Sequence, residues 1–245
     1  MKQHLKESMM SKQFWIIIIA VVVVLVGIFT LTGKKSTLPT NAKPTEHIMG
    51  STSSGVSLVE YGDYQCPYCG QYFETLKQVL AIYSNRITFQ FRNFPLTSIH
   101  PNAFAGARAA EAAGLMGKFW QMHNLLYTQN QEYYNSSGAL ATWIGTTNPI
   151  TVFDQDAQSL GLNVSQFNTY YNSEQVNNLV LADENVGNKL GINATPTFYL
   201  DGKQVQVNDS VAAFSSLINS AIASKADHGA TKTQTKVGST SQTKK

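Results

Sequence analysis

The 245-residue chain has two cysteines, three positions apart in Cys66-Pro67-Tyr68-Cys69. Two intervening residues let the second sulfur reach the first and close a small disulfide ring. The pair stands where an apolar segment hands over to residues at helical spacing, so the first thiol falls at a helix start. Unpaired N–H groups and the helix dipole stabilise an anion there, which predicts a lowered pKa for Cys66. Pro67 suits the first helical turn, where its missing N–H would be unpaired anyway. Cys66 is then expected to be the exposed attacking thiolate and Cys69 the more buried resolving thiol. Two other uses compete with redox exchange. Half of a zinc site would need more ligands, since four are usual. The chain has no further cysteine, and His100 and His123 fall in a segment read as an insertion. A purely structural disulfide across so short a ring gains little loop entropy. Redox exchange is the expected chemistry, with no metal and no cofactor.

The elements that must position this pair can be read from spacing. Val56–Tyr61 is an apolar strand leading into Gly-Asp-Tyr-Gln. Tyr72, Phe73, Leu76, Val79, Leu80 and Tyr83 recur at helical spacing, and Ile87–Arg92 alternates as a second strand. A β-α-β unit of this kind favours parallel strands and a right-handed crossover. Helices are expected at Ala103–Ala113, Phe119–Tyr127, Val164–Tyr171 behind an Asn163 N-cap, and Glu174–Leu190 before Gly191. Thr197–Leu200 and Lys203–Val207 flank Asp201-Gly202, a dipeptide favouring the tight hairpin turn. Ser210–Ala223 closes as a helix. The predicted class is α/β, three-layered, with a helical insertion at about 98–190. The aromatic residues Phe119, Trp120, Tyr127, Tyr133 and Tyr134 are read as core or interdomain packing, with a substrate groove as the alternative. His100, before Pro101, is read as serving the turn into the first inserted helix.

Composition bounds the rest. With 43% apolar and 13% charged residues the chain is neither collagen-like nor wholly disordered. The net charge of +3 is carried by the ends, because Glu46–Ser224 holds seven Lys/Arg against thirteen Asp/Glu. So acidic a centre excludes nucleic acid as a natural partner. Residues 13–33 carry no charge and are almost wholly apolar. About 20 helical residues span the hydrocarbon layer of a bilayer, so a transmembrane anchor is expected there. A cleaved signal peptide is the rival, but its apolar core is usually about 7–15 residues and ends at a small-x-small site; here the run ends at Lys34-Lys35. The flanking lysines are nearly tied, so charge alone does not set orientation. The redox chemistry favours residues 1–12 in the cytoplasm and the domain outside it. Residues 34–50 are expected to be a flexible stalk, 51–224 the folded domain, and 225–245 a disordered basic tail.

The segment Val59-Glu60-Tyr61-Gly62-Asp63-Tyr64-Gln65 before the cysteines, Phe91-Arg92-Asn93-Phe94-Pro95-Leu96 with His100-Pro101-Asn102-Ala103, and Ala194-Thr195-Pro196-Thr197-Phe198 carry a resemblance. Together with Cys66 to Cys69 they resemble the thioredoxin superfamily, and within it the DsbA-type thiol-disulfide oxidoreductases (DsbA, DsbG and BdbD-like). The 126 residues between Cys69 and Pro196 agree, since the DsbA type inserts a helical domain there. The resemblance covers roughly residues 51–223. It implies that Cys66 is the nucleophile, Cys69 the resolving cysteine and Glu60 the buried acid serving the buried thiol's proton. A bland reading of Glu60, as an exposed strand residue, stays open. The resemblance further implies that Thr195 and a cis Pro196 contact substrate, together with Pro67 and Tyr68. The implied activity is donation of disulfides to exported proteins carrying free thiols. Reoxidation would fall to a quinone-linked membrane partner resembling DsbB or VKOR. Isomerase or reductase action on the same scaffold, and a non-catalytic anchored envelope module, are the rival readings.

Overall fold

A computed structural model describes residues 43–140 and 142–238, with residues 228–238 as backbone alone. The apolar segment 13–33 lies outside the described residues, and no described helix is long and apolar enough to cross a membrane.

Five strands form one sheet in the order β1-β3-β2-β4-β5, where β1 is His47–Gly50, β2 Val56–Gly62, β3 Ile87–Asn93, β4 Thr197–Leu200 and β5 Lys203–Val205. The expected β-α-β unit is present: β2 and β3 run parallel, in register from Val56 opposite Ile87 to Gly62 opposite Asn93. They are joined by α1, Pro67–Tyr83. Every second residue of β3 is buried, from Ile87 through Phe89 and Phe91 to Asn93. Ile87, Phe89 and Phe91 pack with Phe73, Leu76 and Val79 of α1 in the main core. Each such side chain contributes about 1.5–3 kcal/mol through burial. The opposite face of the sheet has a smaller core of Tyr61, Phe94, Ile192 and Tyr199.

The insertion between β3 and β4 comprises α2 (Ala103–Leu115), α3 (Phe119–Asn135), α4 (Ile150–Ser159), α5 (Val164–Tyr171) and α6 (Glu174–Lys189). Alanines at 109, 110, 112 and 113 are fully buried, and their small size lets α3, α5 and α6 all pack against α2. Asn163 caps α5 as expected, its side chain accepting from the Gln166 N–H, and Ser173 caps α6 in the same way. Asp201 and Gly202 both adopt positive φ in the β4–β5 turn.

Beyond small shifts at element ends, three features differ from expectation. The stalk does not run to residue 50. Thr45 is 3% exposed and its N–H and hydroxyl donate to the Asp183 carboxylate at 2.8 and 2.6 Å. His47 stacks on Phe119 and meets Glu111 at 2.8 Å, so β1 docks through polar contacts that show no apolar alternation. Helix α4 was not expected, because it buries little beyond Phe153, Asp156 and Ala157. The final helix α7 is Val211–Gly238 and enters the segment expected to be disordered. Lys225 pairs with Asp201 at 3.1 Å and donates to the Gly55 carbonyl, which ties the start of that segment to the fold.

Candidate active site

Cys66 is the N-cap of α1, in extended backbone with φ −69° and ψ 124°, and Pro67 occupies the first turn. This follows from sequence: Asp63 accepts the Cys66 N–H through its carbonyl at 3.1 Å and the Gln65 N–H through its carboxylate at 2.7 Å. That turn ends the strand and starts the helix. Both cysteines are thiols here, and Cys69 is fully buried. Cys66 is less accessible than expected, at 4% exposure. The reason is that the loop before β4 lies against it: the Cys66 thiol donates to the Thr195 carbonyl at 3.4 Å. The Thr195–Pro196 peptide is cis.

A hydrogen bond from Cys69 lowers the Cys66 pKa to about 6, helped by Thr195 and opposed by burial and by the Asp63 charge. The Thr195 hydroxyl is buried and without a partner among the described residues. Burial pushes Cys69 the other way, well above the ordinary thiol range. The two sulfurs are therefore split into a ready anion and a reluctant one, as attack and resolution require.

Glu60 lies on β2 opposite Phe91 and Phe198 and is 2% exposed, so the exposed-strand reading does not hold. Burial, with the Cys66 charge adding, raises its pKa to about 8. It faces a cavity of about 160 Å³ that also reaches Lys77, Trp120, His123 and Asn124. His123 itself is held neutral, with burial lowering its pKa to about 3, and its Nδ1 meets the Tyr64 hydroxyl at 3.0 Å. On the other side of the cysteines a cleft of about 220 Å³ is lined by Tyr68, Tyr72, Thr195, Pro196, Phe198 and Val207. Tyr68 stands 63% exposed at its edge. Pro67 starts the helix and does not line the cleft.

The structure adds residues that the sequence did not single out and gives new roles to two that it did, Tyr134 and His100. Asn130 on α3 donates to the carbonyls of Tyr64 and Cys66 at 2.8 and 3.1 Å. Gln131 donates to the Gly70 carbonyl at 2.7 Å, and Tyr134 to that of Gln65 at 2.9 Å. Tyr134 thus holds the loop rather than serving only as packing. A Cβ at Gly70 would collide with Asn130, which accounts for the glycine directly after Cys69. His100 was expected to serve only a turn, yet it reaches Asp63 at 2.7 Å. No group of three metal-ligating side chains is found among the described residues. These partners lie 30 to 70 positions from the cysteine loop, so only the clustering of polar residues in Asn130-Gln131 and His100-Pro101-Asn102 could have hinted at them.

The fold and this cysteine site together are of thioredoxin type. The chain belongs to the thioredoxin family, which it matches over residues 42–220. Its fold is similar to that of BdbD from Bacillus subtilis (TM-score 0.60, 19% identity), over 74% of this chain and 96% of that one. It is likewise similar to a thioredoxin-like oxidoreductase from Silicibacter pomeroyi (TM-score 0.58, 21% identity, 75% and 97% covered). Wolbachia pipientis alpha-DsbA1 shares the fold too (TM-score 0.60, 18% identity, 76% and 94% covered). Curated relatives include proteins named Na(+)/H(+) antiporter NhaA 1. That from Salinispora arenicola is 31% identical over 73% of this chain, and that from Mycolicibacterium gilvum 33% identical over 65%. The match covers 25% and 24% of those proteins, so this chain spans about a quarter of their length.

Proposed function

We propose that the protein is a membrane-tethered oxidoreductase that donates its Cys66–Cys69 disulfide to exported proteins outside the cytoplasm. The observation that carries this reading is the geometry: Cys66 caps the start of α1 with its thiol against the cis Thr195–Pro196 loop and Cys69 fully buried behind it, and a Cys66 pKa lowered to about 6 agrees. A stable thiolate favours the reduced form of the pair, so its disulfide is readily given away.

A substrate thiolate attacks the Cys66 sulfur, breaking the Cys66–Cys69 bond and forming a mixed disulfide. Cys69 leaves as a thiolate and takes up a proton; Glu60, protonated below about pH 8, is the group suited to supply it. The cavity beside Glu60 gives that carboxyl a route for recovering a proton from outside. A second substrate thiolate then attacks the substrate sulfur of the mixed disulfide and expels the Cys66 thiolate. Two electrons pass from substrate to enzyme; of the two substrate protons, one ends on Cys69 and one in solvent. The cleft beside Thr195 and Pro196, with exposed Tyr68 at its edge, suits an extended substrate segment. Pro67 contributes by fixing the helix start. A quinone-linked membrane protein of DsbB or VKOR kind would reoxidise the pair, and the apolar segment 13–33 would tether it to lipid.

Cys69→Ser tests the reading. It should trap mixed disulfides with exported proteins on non-reducing gels, and their absence with the variant well expressed defeats it. A reduction potential far below that of its compartment would instead mark a reductase. A reporter fused after Lys245 should be active only outside the cytoplasm.

A further inference from the structure

His100 is 34 positions from Cys66, in the loop between β3 and α2, yet its Nδ1 lies 2.7 Å from the Asp63 carboxylate. Asp63 is joined to both cysteines: its carbonyl accepts the Cys66 N–H, and its own N–H donates to the Cys69 sulfur at 3.5 Å. The Asp63 side chain is fully buried, and that of His100 is 14% exposed. The carboxylate already accepts the N–H groups of Gln65 and Leu96, at 2.7 and 2.9 Å, which are enough to fix the loop. The third partner differs in kind, because it can carry charge.

That charge matters for Cys66. Asp63 places a buried negative group where it disfavours the thiolate. The ionisable groups whose fields reach Cys66 come from every element around it: Glu60 on β2, Asp63 before the helix, Cys69 on α1, Tyr134 on α3 and His100 in the β3–α2 loop. Among these described groups His100 alone can be a cation. We infer that His100, through Asp63, is a positioning residue that cancels the charge beside Cys66, so that oxidising strength falls when His100 loses its proton. In support, the hydrogen bond to Asp63 raises the His100 pKa against the opposing effect of burial, and the charges of Asp63 and Cys66 add to the rise. Linkage makes the effect reciprocal: if protonated His100 favours the Cys66 thiolate, the thiolate must favour protonated His100. Imidazolium is thus bound more tightly in the dithiol form than in the disulfide form.

The inference rests on the proposed redox role, and the tests separate the two. Full-length protein, kept in detergent because of its apolar N-terminal segment, is equilibrated with reduced and oxidised glutathione over a range of pH. A pair that never equilibrates defeats the redox role itself. If it equilibrates, His100→Asn, which keeps a donor but no charge, should shift the exchange constant about threefold toward the disulfide below the His100 titration. It should also raise the midpoint of Cys66 thiolate absorbance, and the difference in exchange constant should vanish above the His100 titration. Nuclear magnetic resonance of the wild-type His100 ring should show a higher titration midpoint in the dithiol form than in the disulfide form. A folded His100→Asn protein with unaltered thiolate and exchange curves overturns the inference. So does an imidazole that titrates identically in both redox states, a measurement that needs no variant to fold.

Discussion

Glu60 pays for its place with stability, and the sign can be worked out. Its folded-state pKa, about 8, lies above its ordinary 4.5, so the folded protein holds this proton more tightly than the unfolded chain does. The favourable contribution is complete below about pH 4.5 and is lost as pH rises through 8. Glu60→Gln should therefore unfold at a higher temperature than wild type at pH 8, by a margin worth on the order of a few kcal/mol, and the margin should close near pH 4.5. Thermal unfolding at the two pH values checks this; a margin independent of pH would mean that Glu60 is ionised in the fold. At this scale the sequence was informative where the chemistry is local. Cys66, Cys69, Glu60, Thr195 and Pro196 are all brought together at the ends of β2, α1 and β4. Asp63, His100 and Asn130 were not legible as a set, because their roles depend on contacts across 37 and 64 to 66 positions.

At the scale of elements, α3 acts as a clamp on the cysteine loop. Asn130 alone satisfies two buried backbone carbonyls there, and an unmet buried acceptor costs about 1–3 kcal/mol. Asn130→Ala should lower stability by about that much per carbonyl left unmet and should slow disulfide exchange with a model dithiol. Unchanged exchange in a destabilised variant would show that the clamp serves folding only. Helices with strong local punctuation were readable: Asn163 and the Gly191 turn mark α5 and α6, and Asp201-Gly202 marks the hairpin. Strand β1 was hidden because the side-chain contacts that hold it, from His47 to Glu111 and from Thr45 just before it to Asp183, are distant and polar and leave no apolar pattern. The reach of α7 was hidden because a Lys-, Thr- and Gln-rich segment has no apolar periodicity to read.

For the whole molecule, the redox state of one pair should be visible in global stability. Cys66 titrates near 6 when folded against 9.0 ordinarily, so its thiolate stabilises the dithiol protein fully above about pH 9, and that benefit is lost as pH falls through 6. The disulfide protein has no such group. The push of the thiolate on Glu60 takes back part of the gain, but burial, the larger cause at Glu60, acts in both states. The dithiol form should therefore gain on the disulfide form in unfolding temperature between pH 6 and pH 9, and a gap that stays flat would contradict the thiolate's dominance. The low exposure of Cys66, 4%, reaches further. A cysteine already sealed inside a finished domain has no way of bringing its sulfur flush against one so recessed, whereas a loose strand of polypeptide can slide alongside it. Under the proposed function, this recess would favour exchange with chains that have not yet collapsed into their final shape.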